Sequence, residues 1–460
     1  MRISWKLVVL ASLAAAFASI SFGQTIRYVP DLKIWFLQTD HSTYVLGVNN
    51  KQELQNLYWG AKLSRAEDFS PARAAREHAS FDSGETETTN EYGGWGGKFY
   101  AEPCLKVTLA DGVRDLVLHY TDSHIDGDTL HIKLKDISYD LTVDLTYRVY
   151  PAEDIIRKGA TIENHTPQTI TVESAQAGVW YMPEGEGYRL TYASGRWASE
   201  DQLVQEPIHQ GKVLLDSRRG NTGHQLYPWF AIDEGGHANE QYGRVWFGAL
   251  GWSGNWKLVI EETPGHRVRV TGGFNDFDFS YPLAPGEHLD TPPYYGGFSS
   301  SGFGGVSRRL HRLELNELLP DHRNPQVRPV LYNSWEATTF NVNAAGQKVL
   351  AEKAARIGVE RFVMDDGWFG ARNNDKAGLG DWTVNPHKFP QGLGGLIHYV
   401  NSLGMDFGLW FEPEMVNPDS DLYRAHPDWA MHFPGRPRSE SRNQLVLNMA
   451  RDDVRDYIFQ

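Results

Sequence analysis

The sequence predicts a multidomain protein of the β plus α/β class, in which a large antiparallel β-sandwich precedes an α/β domain with parallel strands. From Ile26 to about Val306, apolar and polar residues alternate, as in strands that bury one face. Beyond Pro329, nearly continuous apolar runs alternate with amphipathic helices, which is typical of parallel sheets covered on both faces. The length of 460 residues also exceeds one typical domain.

Residues 1–23 are predicted to form a secretory signal peptide. Arg2 and Lys6 precede an apolar run at residues 7–18, and small residues follow up to Gly23. No later segment supplies the roughly 18 continuous apolar residues that a spanning helix needs, so we expect no membrane association after cleavage. The mature protein is therefore expected to be exported, to the periplasm or the extracellular space.

Residues 24–305 are predicted to form the β-sandwich. The segment YDLTVDLTYRVY at residues 139–150 places Leu141 and Val143 on one face and Asp144 on the other. Similar segments recur between turns rich in Gly, Pro, Asn and Asp. This domain is larger than an immunoglobulin-type sandwich.

A linker helix is predicted within residues 306–328. In GGVSRRLHRLELNELLP, the apolar residues Val306, Leu310 and Leu313 follow a helical spacing, and Pro320 should end the helix. The pattern changes to α/β beyond this segment.

Residues 329–460 are predicted to form an incomplete (β/α)8 TIM barrel. The predicted elements are strands at residues 330–335, 360–366 and 405–413 and helices at residues 344–358 and 392–404. The active site of such a barrel lies at the carboxyl ends of its strands. A doubly wound sheet would show the same local pattern, but no glycine-rich phosphate turn follows the first strand.

Two adjacent acids, Asp365 and Asp366, end the second of these strands in the segment RFVMDDGWFG. Burying both is unfavourable unless something hydrogen-bonds them, and a polyhydroxylated ligand could do so. Neighbouring side chains of a strand point to opposite faces, so both acids reach one ligand only if the backbone turns, which Gly367 permits. The alternative is that one acid caps a helix and the other is solvated.

The other strand ends carry Trp beside carboxylates: Trp335 at the first strand, and Trp410 with Glu412 and Glu414 at the third. A Trp wall with carboxylate acceptors is the usual chemistry of a monosaccharide pocket. Glu412 and Glu414 could act as an acid and nucleophile pair or could support other site residues. Arg442 could orient carboxylates through its planar guanidinium or pair with surface acids.

The net charge of −14 argues against nucleic acid as a partner, because such binding depends on Lys and Arg contacts to phosphates. No HExxH or similar spacing occurs among the 17 His residues. We therefore expect neither a catalytic metal nor a cofactor.

Several longer motifs resemble one known family. They are NSWEA (333–337), MDDGWFG (364–370), DWTVNPHKFPQGL (381–393), GLWFEPEMVNPDSDLYRAHPDW (408–429), RNQLVLNMARDDVRDYIF (442–459), LYWGAKL (57–63) and RRGNTGHQLYPWFAI (218–232). These segments look like the bacterial, melibiase-like α-galactosidases of glycoside hydrolase family 36. The resemblance covers nearly the whole mature chain and implies a β-supersandwich, a (β/α)8 barrel and a small carboxyl-terminal β domain.

The family hydrolyses terminal α-galactosyl residues of melibiose, raffinose and related oligosaccharides with retention of configuration. The resemblance implies that Asp365 and Asp366 accept hydrogen bonds from the 4- and 6-hydroxyls of galactose. It also implies that Trp335 and Trp410 wall the pocket and that Arg442 lies near its base. It further suggests a homo-oligomer.

The family's catalytic residues are expected to lie beyond Gln460. Its nucleophile is the Asp of a Lys-Trp-Asp-x-Asn strand and its acid/base lies in a Ser-Asp-Asn-type motif, and neither motif occurs in this sequence. A retaining glycosidase needs both carboxyl groups roughly 5 Å apart. We therefore expect this chain to be an inactive fragment of an α-galactosidase, truncated before the nucleophile.

Three alternatives stay open at this point. The substrate could be an α-N-acetylgalactosaminide, or the enzyme could be a galactosyl transferase. The absence of both catalytic motifs also allows a noncatalytic galactose-binding protein.

Overall fold

The protein divides into two compact units, Met1–Arg323 and Asn324–Gln460. A computed structural model describes residues 25–65, 68–77, 79, 81, 84–320 and 326–460. The predicted signal peptide, residues 1–23, lies outside the described residues. In the ranges that the structure does describe, no helix is both long and apolar enough to span a membrane.

The first unit is built mainly of β-strands, as the alternating pattern predicts. Its described strands are β1 (Ile26–Val29), β2 (Ile34–Gln38), β3 (Ser42–Val48), β4 (Leu54–Ala61), β5 (Leu105–Thr108), β6 (Leu118–Asp126), β7 (Thr129–Asp136), β8 (Leu141–Tyr150), β9 (Ile155–Asn164), β10 (Ile170–Tyr181), β11 (Arg189–Arg196), β12 (Ser199–Pro207), β13 (Gly211–Ser217), β14 (Trp229–Asp233), β15 (Val245–Leu250), β16 (Trp256–Glu262), β17 (Val268–Phe274), β18 (Tyr281–Leu283), β19 (His288–Asp290) and β20 (Tyr294–Ser299).

Three antiparallel sheets arise from these strands within the described residues. The first has the order β1-β2-β3-β4, and the second has the order β13-β16-β17-β10-β18, with β5 also paired to β10. The largest has the order β12-β11-β14-β15-β20-β9-β8-β7-β6, with β19 also paired to β9. In β8, Leu141, Val143 and Leu145 are buried in the core, while Asp144 is half-exposed, as the alternation predicts.

Buried tryptophans connect the three sheets. Trp59 of β4 stacks on Trp180 of β10, with ring centroids 4.6 Å apart. Trp246 of β15 donates from its indole nitrogen to the carbonyl of Trp59 at 3.0 Å. Much of the aromatic content of the sequence is therefore core packing.

A buried ion pair lies inside this aromatic core. The Lys158 ammonium contacts the Glu91 carboxylate and also donates to the Tyr44 hydroxyl at 2.7 Å and the Val179 carbonyl at 2.6 Å. The Tyr44 hydroxyl in turn donates to Glu91 at 2.7 Å, and the ammonium lies 3.8 Å from the centroid of the Trp180 ring. Burial raises the pKa of Glu91 and lowers that of Lys158. All three N–H donors of the ammonium are used, and removal of either ion would leave the other buried without its counter-ion.

The linker helix predicted within residues 306–328 begins slightly earlier in the structure. Helix α1 spans Gly302–Leu313 and continues into a π-helical turn at Glu314–Leu318. Val306 and Leu313 are buried with apolar residues of the large sheet. The helix therefore packs on the first unit, and residues 321–325 are not among those described.

The second unit contains the parallel strands. Its described elements are β21 (Leu331–Asn333), α2 (Trp335–Thr338), α3 (Ala344–Arg356), β22 (Arg361–Met364), α4 (Gly394–Ser402), β23 (Asp406–Leu409), β24 (Met415–Val416), α5 (Asp421–Ala425), β25 (Glu440–Ser441), β26 (Gln444–Val446) and α6 (Asp452–Phe459). Strands β21, β22 and β23 pair in parallel, whereas β24, β26 and β25 form a small antiparallel sheet. Helices α3 and α4 pack against the parallel sheet around one apolar core.

The parallel strands are shorter than predicted. Trp335 lies at the start of α2, Asp365 and Asp366 follow the end of β22, and Glu412 and Glu414 lie beyond β23. Glu412 and Glu414 therefore do not lie in a regular strand, and strand geometry does not place their side chains on one face. The backbone leaves the sheet at these polar residues because buried strand positions favour apolar side chains.

Loss of Glu91 is expected to destabilise the first unit. Glu91→Leu leaves the Lys158 ammonium buried without an anion, which costs about 3–5 kcal/mol in comparable pairs. Denaturant unfolding of Glu91→Leu should show this loss, and Glu91→Leu/Lys158→Met should recover much of it, because both charges are then absent. An unfolding midpoint unchanged in Glu91→Leu would contradict the role assigned to this pair.

Candidate functional site

The carboxyl ends of the three parallel strands lie side by side and carry the predicted polar residues. The backbone N–H of Asp365, just after β22, donates to the hydroxyl of Ser334, just after β21, at 3.0 Å. The N–H of Trp410, just after β23, donates to the carbonyl of Met364 at 3.0 Å. Three consecutive strand ends therefore meet at one edge, where a barrel or an open α/β sheet places its ligand.

The chain turns sharply after the two acids, as predicted from Gly367. Gly367 has a φ of +98°, and a Cβ at this position would lie 2.8 Å from the Phe340 carbonyl oxygen. Its N–H donates to Oδ1 of Asp366 at 2.6 Å, and the N–H of Asp366 donates to Oδ1 of Asp365 at 2.7 Å. The turn thus hydrogen-bonds both carboxylates with its own amides.

Arg372 is the charged partner of Asp366. Its Nε donates to Oδ1 and Oδ2 of Asp366 at 2.9 Å and 3.1 Å, and its Nη2 donates to Oδ2 at 2.8 Å. The Arg372 side chain is 0% exposed and Asp366 is 3% exposed. The protein itself therefore supplies much of the hydrogen bonding that the sequence pattern suggested a ligand would provide.

Asp365 nevertheless retains capacity to accept further hydrogen bonds. A carboxylate offers about four acceptor positions. Asp365 accepts from the N–H of Asp366 and from the Nδ2 of Asn333 at 2.5 Å, which leaves one position on each oxygen. Asp366 accepts once from Gly367 and three times from Arg372, so its four positions are occupied. A ligand hydroxyl group can therefore donate directly to Asp365, and to Asp366 only by sharing an acceptor position with these donors.

Aromatic rings border this edge. Trp335 is half-buried and lies edge-on to Phe340, with centroids 5.1 Å apart. Trp410 is half-buried, with its centroid 6.4 Å from that of Trp382, and Trp382 lies 5.1 Å from Phe411. Phe411 is 50% exposed, so this aromatic surface is partly open to solvent.

Arg442 occupies a strained hairpin. Ser441 of β25 pairs with Gln444 of β26, so Arg442 and Asn443 form a two-residue loop. Their φ angles are +55° and +58°, the left-handed pattern of a type I′ turn. This conformation is unfavourable for Arg, and such strain often accompanies a functional position. The Arg442 side chain is exposed.

The hairpin is connected to the acids through Arg372. Nη1 of Arg372 donates to Oδ1 of Asn417 at 2.9 Å, and Nδ2 of Asn417 donates to the carbonyl of Asn443 at 2.7 Å. Asn417 is fully buried. Its Nδ2 also donates to the Asp375 carbonyl at 3.0 Å. The network therefore joins two predicted parts of the site that are distant in sequence.

Glu412 interacts electrostatically with the charged residues of this network. Burial raises the pKa of Glu412, and the neighbouring charge of Glu414 raises it further. The charges of Arg372 and Arg442 act in the opposite direction, and Asp366 contributes a small further increase. The predicted residues Glu412, Arg442 and Asp366 thus interact electrostatically, which sequence spacing does not reveal.

Several structural residues of the site were not predicted from the sequence. Arg372 and Asn417 form the buried network, and Asn333 contacts Asp365. Lys388 donates from Nζ to the carbonyls of Phe340, Gly367 and Arg372 at 2.9, 2.7 and 3.0 Å. The motifs that carry the resemblance include Asn333, Lys388 and Asn417, but not Arg372. Motif membership was therefore the only sequence signal for Asn333, Lys388 and Asn417, and it does not show which residues they contact.

Two family models match the chain over most of its length. Residues 52–284 match the glycosyl hydrolase family 36 N-terminal domain, and residues 288–460 match melibiase. The chain belongs to glycoside hydrolase family 36. This membership confirms the family predicted from the sequence motifs.

The most similar relatives include α-galactosidases. AgaA of Geobacillus stearothermophilus is 35% identical over 467 residues, a match that covers 95% of this chain and 63% of AgaA. The crystal structure of AgaB from the same organism matches with a TM-score of 0.86 and 34% identity, covering 94% of this chain and 63% of AgaB. The chain therefore spans about 63% of the length of these relatives.

The structural matches also confirm the predicted fold class, a β-supersandwich followed by the first part of a (β/α)8 barrel. A crystal structure of a substituted AgaA in complex with raffinose matches with a TM-score of 0.84 and 34% identity, covering 93% of this chain and 63% of that one.

Glu412→Gln is expected to stabilise the protein near neutral pH. The pKa of Glu412 is raised in the folded state. The protonated carboxyl therefore contributes stability that is fully present below the ordinary pKa of 4.5 and is lost as the pH rises through the folded-state pKa. Gln cannot ionise, so the variant should have the higher urea midpoint at pH 7, and the difference should narrow by pH 4.

The exposed Glu336 of α2, which follows another of the parallel strands, provides a matched control. Glu336→Gln should change the urea midpoint little at either pH. A Glu412→Gln variant that is less stable than the parent at pH 7 would contradict the electrostatic account of this cluster.

Proposed function

We propose that the protein is an α-galactosidase that hydrolyses terminal α-D-galactosyl residues of oligosaccharides such as melibiose and raffinose, with retention of configuration. The observation that carries the proposal is the pair of adjacent carboxylates, Asp365 and Asp366, beside aromatic rings at the carboxyl edge of the parallel sheet, where Asp365 keeps acceptor capacity and Arg372 orients Asp366. Family membership and the raffinose complex of AgaA support it.

In this proposal, Asp365 and Asp366 accept hydrogen bonds from the 4- and 6-hydroxyls of galactose. The axial 4-hydroxyl distinguishes galactose from glucose, so the two acids would contribute to specificity as well as affinity. Trp335 and Trp410 would wall the sugar, because aromatic faces pack on the C–H face of a pyranose. Arg442 would approach the sugar from the strained hairpin.

We propose further that the 460-residue chain binds galactosides without hydrolysing them. Its sequence contains neither the Lys-Trp-Asp-x-Asn motif nor the Ser-Asp-Asn-type motif that carry the two catalytic carboxylates in the family. Asp366 is bound by Arg372, which makes it a poor nucleophile. Glu412 and Glu414 lie outside regular strand geometry, so we assign them no catalytic role.

Hydrolysis of p-nitrophenyl α-galactoside tests both parts of the proposal. The 460-residue chain should release no p-nitrophenol, whereas a form of the protein that includes both catalytic motifs should release it readily. Activity of the longer form on a different glycoside alone would contradict the galactoside assignment. Robust hydrolysis by the 460-residue chain would show that its own carboxylates are catalytic.

Galactose binding by the 460-residue chain is expected to depend on the two acids. In calorimetry, Asp365→Asn and Asp366→Asn should each weaken binding roughly tenfold or more, because hydrogen bonds to a charged group contribute about 1.5–3 kcal/mol. Asp406→Asn is the matched control, since this acid is exposed in the same sheet and pairs with Arg361. Galactose affinity unchanged in both Asp365→Asn and Asp366→Asn would contradict the assignment.

A noncatalytic galactose-binding protein is a second candidate, favoured by the absence of both catalytic motifs from the sequence. Binding of galactose together with inactivity of every longer form would support it. Preference for an α-N-acetylgalactosaminide, or transfer of galactose to a sugar acceptor, would instead support the remaining alternatives.

We also propose that the protein is exported and that it forms a homo-oligomer. Export is supported by the basic and apolar pattern of residues 1–23. Cell fractionation with N-terminal sequencing tests export, and light scattering of the purified protein tests its oligomeric state. A cytosolic protein that retains residues 1–23, or a monomer at all concentrations, would contradict the corresponding proposal.

A further inference from the structure

A buried guanidinium links two separate parts of the site. Arg372 holds Asp366 with Nε and Nη2, while its Nη1 donates to Oδ1 of Asn417 at 2.9 Å. Asn417 then donates to the carbonyl of Asn443, next to Arg442 at the hairpin tip, at 2.7 Å. The planar fork of Arg can hold a carboxylate in two places and still use its remaining nitrogen elsewhere, which a Lys ammonium cannot do.

The surroundings fix the position of Arg372 itself. Its side chain is fully buried, and the guanidinium carbon lies 5.2 Å from the centroid of the Phe340 ring. Phe340 in turn contacts Trp335 edge-on at 5.1 Å. The backbone carbonyl of Arg372 accepts from Lys388 at 3.0 Å. Arg372 is thus held by contacts to the face and the edge of its guanidinium and to its backbone carbonyl.

Asp366 would be costly to bury without this partner. It follows another carboxylate directly in sequence, and both residues are less than 9% exposed. Adjacent carboxylates repel each other, and an unpaired carboxylate is costly to bury. The cation bound to Asp366 offsets this cost and leaves Asp365 free to accept hydrogen bonds from a ligand.

We propose that Arg372 is a positioning residue for galactoside recognition, which fixes the orientation of Asp366 and, through Asn417, the place of the hairpin that carries Arg442. This inference rests on the function proposed above, because it assigns Asp366 and Arg442 to the sugar site. Arg372 touches no sugar in this account and acts through the residues it holds.

The Asn417 arm of the network makes a separate contribution. Oδ1 of Asn417 accepts from Arg372 and from the N–H of Leu379 at 2.8 Å, and its Nδ2 serves two backbone carbonyls. Arg442 and Asn443 have positive φ angles, so their loop needs an external hydrogen bond to hold it in place. Loss of the Asn417 amide would release the hairpin while the pair of Arg372 and Asp366 remains.

Calorimetric titration of the 460-residue chain with galactose tests the inference. Arg372→Lys keeps the positive charge but not the fork, and it should bind galactose roughly tenfold more weakly or worse. Asn417→Ala should show a smaller loss. Arg361→Met removes an exposed ion pair with Asp406 in the same sheet and should bind as the parent does.

A double-mutant comparison separates positioning from general loss of structure. Arg372→Met removes both the cation and the fork. Because Arg372 is inferred to act through Asp366, Arg372→Met should lower galactose affinity much less in an Asp366→Asn background than in the parent, and an equal loss in both backgrounds would contradict this route. Denaturant unfolding of each variant shows which of them are folded and can be compared.

The outcomes distinguish this inference from the proposed function. A parent chain that does not bind galactose overturns the proposed function, and this inference with it. A parent that binds galactose, together with folded Arg372→Lys that binds equally well, overturns the inference alone. If neither Arg372 variant folds, Asn417→Ala decides: parental affinity in this variant overturns the inference, and a weaker affinity supports it.

Discussion

The buried pair of Arg372 and Asp366 is the interaction on which the site at the carboxyl edge of the parallel sheet depends. Two adjacent carboxylates cannot remain buried and charged without compensation. The guanidinium provides that compensation from inside the protein, while the turn at Gly367 adds backbone donors. A ligand then meets acids that are already oriented, which lowers the ordering cost of binding.

Positively charged side chains hold buried anions in both units, in two different ways. Lys158 in the first unit uses all its donors on Glu91, Tyr44 and Val179, and both Lys158 and Glu91 are buried. Arg372 in the second unit leaves Asp365 with free acceptor positions. In the first arrangement every donor of the cation is used, so the ion pair serves stability. In the second, Asp365 keeps free acceptor positions, so the acids can serve recognition.

The sequence predicted the fold class because its patterns are local and strong. Alternating residues such as Leu141 and Val143 in β8 and continuous runs such as RFVM in β22 reflect burial on one face or on two. The position of Gly367 in the turn was also predictable, since few other residues adopt its φ angle. The ends of the strands were less well predicted, because an apolar run such as residues 405–413 continues beyond the paired segment.

The network was not predictable because its members are far apart in sequence and chemically ordinary. Arg372 lies in a polar loop, ARNND, that resembles many solvated surface loops, yet its side chain is fully buried. Asn417 lies 45 residues beyond it and contacts it only after β23 and its following loop are in place. Sequence patterns report the burial of apolar faces, but they do not report which buried polar groups satisfy one another.

A crystal structure of the 460-residue chain with galactose tests the central claim most directly. The account predicts that the 4- and 6-hydroxyls lie within hydrogen-bond distance of Asp365 and Asp366, with Arg372 still bound to Asp366. Galactose bound away from these acids, or an Asp366 that leaves Arg372 to meet the sugar, would contradict it.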